Sequence, residues 1–140
     1  MSSREVVVGL FDAQLRFDEP SPDGSSLRVA LHHDRVHATT RVRLRDRYEI
    51  VRFFDELATD WRGWSGERGY QSEDLELDMA CWHDGIGEVV IYVEMRSTFY
   101  LGDPAHPDWS ATAWLTVEPG ALQTYASTLR ILTSELVTPD

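Results

Sequence analysis

Residues 46–70 read DRYEIVRFFDELATDWRGWSGERGY and contain the clearest helical pattern in the chain. Large apolar residues recur there at steps of four, three and four, and they are Ile50, Phe54, Leu57 and Trp61. Because an α-helix turns once in about 3.6 residues, this spacing places all four side chains on one face. The stretch therefore predicts an amphipathic helix, and strand-like runs lie on both sides of it.

Both ends of this helix carry sequence signals. Asp46 followed three residues later by Glu49 matches a capping box, in which the two side chains satisfy free backbone N–H groups. Gly63 matches a C-terminal cap, because glycine adopts a left-handed conformation at little cost. We expect the helix to begin at Asp46 and to end before Gly63.

Three large aromatic rings follow one another in this region, at Trp61, Trp64 and Tyr70. They have two interpretations. The rings can seal one end of the core, since each buries a large apolar area. Alternatively, they form an aromatic site for a ligand or a peptide, together with Trp82 further along the chain. Exposed tryptophans beside the glycines of this segment would favour the second interpretation.

Length and composition limit the class of protein. With 140 residues, 42% of them hydrophobic, the chain predicts a single domain of residues 1–140 with a sizeable core. A net charge of −11 opposes a phosphate backbone, so we do not expect nucleic acid as a partner. The sequence shows no run of about 20 apolar residues and no leader, so we expect no membrane partner. Cys81 is the only cysteine, which favours a cytoplasmic protein.

The rest of the chain is rich in strand patterns. Alternating apolar and polar residues predict strands over residues 5–18, 27–31, 36–44, 75–82, 89–96 and 109–117. A second helix is predicted to begin at Glu118-Pro119, and its apolar face consists of Leu122, Tyr125, Leu129, Leu132 and Leu136. We therefore expect an α+β fold, in which an antiparallel β-sheet carries two α-helices on one face. The order is strands, helix, strands, helix, a coarse repeat without sequence similarity between its halves.

Two rows of charge follow from the alternation. The outward side of one predicted hairpin is basic and carries Arg41, Arg43 and Arg45. The outward side of another is acidic and carries Glu76, Asp78, Glu88 and Glu94. If the two hairpins are neighbours, the rows form cross-strand ion pairs. If they are not, each row is a charged docking surface that steers a partner of opposite sign.

The sequence contains no complete set of catalytic or metal-binding residues. His32 and His37 fall on one side of a hairpin, and Asp103, His106 and Asp108 share a loop, but neither group has the spacing of a metal motif. The alternation directs Cys81 towards the core, where a thiol is inert. No phosphate-binding loop, nucleophile motif or distinctive acid–base pair is present. We therefore expect no catalytic residues, no metal and no cofactor, and the protein is predicted not to be an enzyme.

A resemblance adds to this interpretation. The run Asp60-Trp-Arg-Gly-Trp-Ser-Gly-Glu-Arg68, followed by Gln71-Ser72 and by His83-Asp-Gly-Ile-Gly87, resembles an actinobacterial family of small proteins of unknown function. The resemblance extends from about Leu15 to Leu132. The order of strands, helix, tryptophan-rich turn and strands is also similar to the immunity proteins of WapI-type toxin systems. Neither resemblance implies a catalytic residue.

Three hypotheses about function remain open at the level of sequence. The first is a non-enzymatic protein-binding domain, such as an immunity protein that neutralises a basic toxin. The second is a small-molecule-binding protein or enzyme that uses an aromatic pocket. The third is an accessory domain that forms a homo-oligomer, such as a homodimer. The residues assigned to partner binding are the four acidic residues and four aromatic residues already introduced, namely Glu76, Asp78, Glu88, Glu94, Trp61, Trp64, Tyr70 and Trp82.

Overall fold

A computed structural model describes residues 5–10, 12–98 and 101–134 of the chain. The first half contains strands β1 (Glu5–Val8), β2 (Ala13–Asp18), β3 (Ser26–His33) and β4 (Val36–Arg43), and then helix α1 (Glu49–Thr59). The second half contains strands β5 (Arg68–Gln71), β6 (Leu77–His83), β7 (Val89–Ser97) and β8 (Trp109–Val117). A single 3₁₀ turn (Pro119–Ala121) then leads into helix α2 (Leu122–Ser134).

The strands form two four-stranded sheets, each a meander of antiparallel neighbours. The first sheet has the order β1-β2-β3-β4 and the second has the order β5-β6-β7-β8. The predicted α+β class and the order strands, helix, strands, helix are confirmed. The single sheet that we expected is replaced by two, because β4 and β5 do not pair and α1 lies between them in the chain. Each half is thus four strands followed by a helix.

The strand pattern of the sequence missed two details. The predicted strand over residues 5–18 is two strands that pair with each other, with Val8 opposite Leu15. Gly9 begins the turn between them at a φ of +109°, where a Cβ atom would lie 2.4 Å from the backbone oxygen of Ala13. Strand β5 lies inside the tryptophan–glycine segment and was not predicted, because four residues that include Gly69 are too few to show alternation.

Helix α1 is shorter at both ends than the caps predicted. Asp46 does not cap it, because its carboxylate accepts a hydrogen bond from the backbone N–H of Tyr48 at 2.7 Å in a turn before the helix. The Glu49 side chain is directed elsewhere, as described below. The helix ends at Thr59, so Trp61 lies two residues beyond it and is 45% exposed. The prediction that Trp61 lies on the buried helix face is therefore wrong.

The buried residues of both halves form one continuous apolar cluster. Phe54 on α1 is fully buried within it and makes edge-on ring contacts with Phe17 of β2, at 6.3 Å, and with Tyr125 of α2, at 6.2 Å. The predicted apolar face of α2 is also buried at Leu122, Leu129 and Leu132. The expectation for Leu136 concerns a position outside the described residues.

Replacement of Phe54 by alanine is expected to lower the free energy of unfolding by about 3–5 kcal/mol, because it removes a buried ring and leaves a cavity that the surrounding sheet and helices fill only in part. Urea unfolding followed by circular dichroism measures this loss. Arg52→Ala on the exposed side of the same helix is the matched control. A loss for Phe54→Ala below about 1 kcal/mol would contradict the central position of this ring.

Candidate functional site

The four aromatic residues assigned to one site do not share a pocket. Tyr70 pairs with Met79 across β5 and β6, and both side chains are buried on the helix side of the second sheet. Trp64 also packs against the core, at 5.2 Å from the ring of His83. Trp82 belongs to the opposite face of β6, because neighbouring residues of a strand alternate between faces. The aromatic pocket predicted from these rings is therefore not formed.

Tyr70 has a structural role that its sequence position did not reveal. Its hydroxyl donates a hydrogen bond to the carboxylate of Glu49 at 2.6 Å, and this contact joins β5 to the first turn of α1. Arg45 holds the other oxygen of Glu49 through its backbone N–H and its guanidinium, each at 3.2 Å. Burial and the Glu49 carboxylate raise the pKa of Tyr70 far above its ordinary value. The hydrogen bonds among Tyr70, Glu49 and Arg45, which we call the clasp, join the two halves of the chain.

Glu76 is also structural, and its assignment to a docking surface is wrong. It precedes β6 and is only 5% exposed. Its carboxylate accepts hydrogen bonds from the hydroxyl of Ser72 at 2.7 Å and from the backbone N–H of Arg43 at 3.2 Å. A buried carboxylate needs such partners, because its desolvation is otherwise costly. Glu76 therefore ties the end of β4 to the β5–β6 turn.

The basic and acidic rows do not form the predicted cross-strand ion pairs, because β4 belongs to the first sheet and β6 and β7 to the second. Arg41 donates a hydrogen bond to the hydroxyl of Ser26 at 3.0 Å within its own sheet. Arg43 lies 3.5 Å from Asp74 in the β5–β6 turn, outside the predicted acidic row. Arg45 is engaged in the clasp. The second sheet consequently keeps an acidic row that the basic row does not neutralise.

The outward face of the second sheet carries a group of three aromatic rings, of which Trp114 is exposed and Trp82 and Tyr92 are partly buried. Tyr92 of β7 lies opposite Trp114 of β8, with ring centroids 4.8 Å apart. Trp82 of β6 lies 5.8 Å from the same Trp114 ring. Trp114 is 57% exposed, and Val90 and Ala80 fill the surface beside the rings. We call these five residues the aromatic face.

Sequence reasoning missed two of these rings. Alternation along β7 and β8 directs Tyr92 and Trp114 to the outward side of their strands, but nothing in the sequence indicates that they are neighbours. The register that pairs them spans nine residue pairs between β7 and β8. The strand register places these two rings near Trp82. The alternation pattern therefore showed that each ring faces outwards, but only the strand pairing shows that the rings form a group.

Acidic residues border the aromatic face at both ends. Asp78 and Glu94 lie directly opposite each other on β6 and β7, one row away from Tyr92. Glu88 is exposed immediately before β7, and Glu118 is exposed immediately after β8, at the same end of the sheet. Arg96 is the basic residue of this face, and its guanidinium contacts Glu94 at 2.7 Å and the backbone oxygen of Leu75 at 2.9 Å.

The other groups tested for chemistry lie apart from this face. His32 and His37 are cross-strand neighbours, with ring centroids 4.1 Å apart, on the first sheet. The imidazole of His106 lies 2.9 Å from Asp103 in the loop before β8. Among residues 5–10, 12–98 and 101–134, no three ligand-type side chains are grouped to hold a metal ion. Burial raises the pKa of the Cys81 thiol to about 12.

The fold and this face together define a small α+β protein that presents a flat aromatic and acidic surface. The chain belongs to DUF6228, a family of unknown function whose model matches residues 2–135. The structure is similar to that of an SsgA-like sporulation-specific cell division protein from Thermobifida fusca YX-ER1, with a TM-score of 0.44 and 15% identity over 97% of this chain and 88% of that chain. Among curated proteins, none matches the chain significantly. In the described residues, neither helix has the length and apolar character that crossing a membrane requires.

Replacement of Tyr70 by phenylalanine is expected to cost about 1–3 kcal/mol of unfolding free energy, because Glu49 keeps its burial and loses a hydrogen bond. A raised pKa stabilises the fold below the ordinary tyrosine value of 10.0, and that stabilisation is lost as pH rises above it. The difference between the two proteins should therefore be constant at neutral pH and should shrink in alkali.

Chemical denaturation of both proteins over a pH series checks this expectation. Tyr48→Phe, at a position that is 41% exposed, is the control and should leave the free energy of unfolding unchanged within about 0.5 kcal/mol. An equal loss in the two variants, or a Tyr70→Phe effect that does not depend on pH, would show that the clasp is not a stabilising contact.

Proposed function

We propose that the protein is a non-enzymatic protein-binding domain, and that the aromatic face of its second sheet docks a basic protein. The observation that carries this proposal is the cluster of Trp82, Tyr92 and Trp114 on an open sheet surface. Tryptophan and tyrosine side chains grouped at one place on a surface are typical of the energetic centre of protein interfaces. A face that serves only to cover a core would be expected to carry polar side chains here.

The flatness of the surface favours a macromolecule over a small ligand. Sites for small molecules are concave and enclose most of the ligand. The aromatic face is one side of a regular sheet, and Thr112 and Thr116 extend it along β8 with short polar side chains. An apolar centre with a polar border is the common arrangement of a protein interface. The small-molecule hypothesis has less support, since Trp61, Trp64, Tyr70 and Trp82 do not converge on one pocket.

The charge of the chain favours a basic partner. The net charge is −11, and the border of the face carries Asp78, Glu88 and Glu94. Arg96, the basic residue there, is already engaged by Glu94. Complementary charge accelerates association with a positively charged protein and disfavours acidic competitors. The first of these carboxylates, at Asp78, makes no ion pair with any described residue and is therefore available to a partner.

The kind of partner that we propose is a basic protein toxin. The resemblance to WapI-type immunity proteins motivates this choice, and the acidic border suits a toxin that must bind a negatively charged substrate such as nucleic acid. In this role the protein would act in the cytoplasm of the cell that makes the toxin. No catalytic residue is required, because the chain would act by covering a surface of the toxin.

The proposal predicts that tagged protein captures a basic protein from extract of its own source, and that Tyr92→Ala with Trp114→Ala abolishes this capture. Truncation of either central aromatic residue alone is expected to weaken binding by about 30-fold or more, because such residues each contribute about 2 kcal/mol or more. The measurement is titration calorimetry with the purified partner. His37→Ala with Thr39→Ala, on the exposed strand β4 of the first sheet, is the control and should bind as the wild type does.

The immunity role has its own readout. The captured protein should arrest the growth of cells that express it, and coexpression of the wild-type chain should restore growth while the double aromatic variant should not. An acidic partner, a second copy of this chain, or equal loss in the control variant would overturn the proposal. Capture of nothing from the extract would also count against it.

A further inference from the structure

We infer that the aromatic face contains a seat for an arginine side chain of the partner, formed by Ala80, Trp82, Tyr92 and Asp78. This inference rests on the proposed function and specifies the chemistry that the same face recognises. It concerns a group on the partner whose charge is complementary to Asp78 and whose flat guanidinium can stack on an aromatic ring.

The shape of the seat follows from the strand register. Gly69, Ala80 and Tyr92 lie in one row across β5, β6 and β7. Gly69 has no side chain and Ala80 has only a methyl group, so these two residues project little above the sheet, whereas Tyr92 carries a large ring. Trp82 and Asp78 are the residues two positions after and before Ala80 on β6, on the same face and each about 6.7 Å away. The register thus places two aromatic residues and a carboxylate around Ala80 on this face.

The charge in the seat is unbalanced. Asp78 and Glu94 are directly opposite each other on adjacent strands, where two like charges destabilise a sheet. Arg96 balances Glu94 at 2.7 Å, but its side chain is only 14% exposed and it also binds Leu75. Asp78 receives one long contact, from the side-chain amide of Gln71 at 3.4 Å. A cation from a partner would remove the repulsion that the free protein retains.

The combination of rings and carboxylate selects arginine over lysine. A guanidinium is planar, stacks on tyrosine or tryptophan, and forms two parallel hydrogen bonds with a carboxylate. A lysine ammonium offers a point charge that is more strongly hydrated and does not stack. The protein contains one example of this contact, since the guanidinium of Arg68 lies 5.1 Å from the centre of the Trp64 ring. The seat presents the same partners to the outside.

Short peptides that alternate threonine with arginine, with lysine or with citrulline test the seat. Binding is followed at low salt by the indole N–H signals of Trp82 and Trp114 in NMR spectra, which Trp→Phe variants assign. The arginine peptide should bind at least about 5-fold more tightly than the lysine peptide. The citrulline peptide, which keeps the shape and lacks the charge, should not bind measurably.

Asp78→Asn should weaken binding of the arginine peptide about 10-fold, because it removes the charge that the guanidinium pairs with. The same substitution should keep or raise the melting temperature, since it relieves the repulsion with Glu94. Asp34→Asn, at the exposed tip of the β3–β4 hairpin, makes the same change in net charge and should leave binding unaltered. That control separates a local contact from the overall acidity of the chain.

The results separate the seat from the docking face. Equal affinity for the arginine and lysine peptides, an equal effect of Asp34→Asn, or absence of peptide binding would overturn the arginine seat. If the captured partner still depends on Tyr92 and Trp114 in that case, the proposed function stands without the seat. If the partner does not depend on those rings either, both proposals fail. Arginine-selective binding that Asp78→Asn weakens supports the seat.

Discussion

The packing of Phe54 is the contact on which the rest of the structure depends. Each four-stranded sheet has one apolar face, and neither face is stable unless another element covers it. Phe54 lies where α1 meets a ring of the first sheet, Phe17, and a ring of α2, Tyr125. Because this single ring contacts elements from both halves, the two meanders share one core and cannot be buried independently.

Buried polar contacts add to the apolar core in holding the two halves of the chain together. Apolar packing holds the two halves together but depends little on their exact orientation. The hydrogen bonds of Glu49 and Glu76 are directional, and they fix how β4, α1 and the β5–β6 turn meet. These carboxylates are buried and accept hydrogen bonds from Tyr70 and Ser72, so they are not accessible to a partner. The protein thus divides its acidic residues into those that hold the fold and those, such as Asp78, that remain available on the sheet surface.

The aromatic face has a physical reason to be functional, which the buried rings lack. Tyr70 and Trp64 contribute area to the core, so their presence is explained by stability. Trp114 is more than half exposed, so the free protein keeps an apolar surface in contact with water, which is unfavourable in free energy. That cost is unexplained by the fold and is accounted for if the face is covered by another protein. The acidic border then gives the interaction its selectivity.

Much of the fold could be predicted, because periodicity is a local property. The helical spacing of Ile50, Phe54 and Leu57 and the alternation along β3, β4, β6, β7 and β8 were sufficient to predict the α+β class. The failures have local causes as well. Strand β5 is too short to show a period, and Gly9 interrupts a run that otherwise looks continuous. The predicted capping box of Asp46 and Glu49 was wrong, because the Glu49 carboxylate accepts a hydrogen bond from Tyr70, which is far away in sequence.

The alternation in the amino-acid sequence by itself placed Asp78, Glu94, Tyr92 and Trp114 on the outward side of their strands, although it also placed the buried Glu76 there. It also determined the net charge of −11. Only the tertiary structure decided which of these residues are neighbours. The division into two sheets separated the guanidinium groups of Arg41 and Arg43 from Asp78 and Glu94, and the β7–β8 register brought Trp114 to Tyr92. Strand pairing joins residues that are distant along the chain, so no pattern within a single stretch could have revealed the aromatic face.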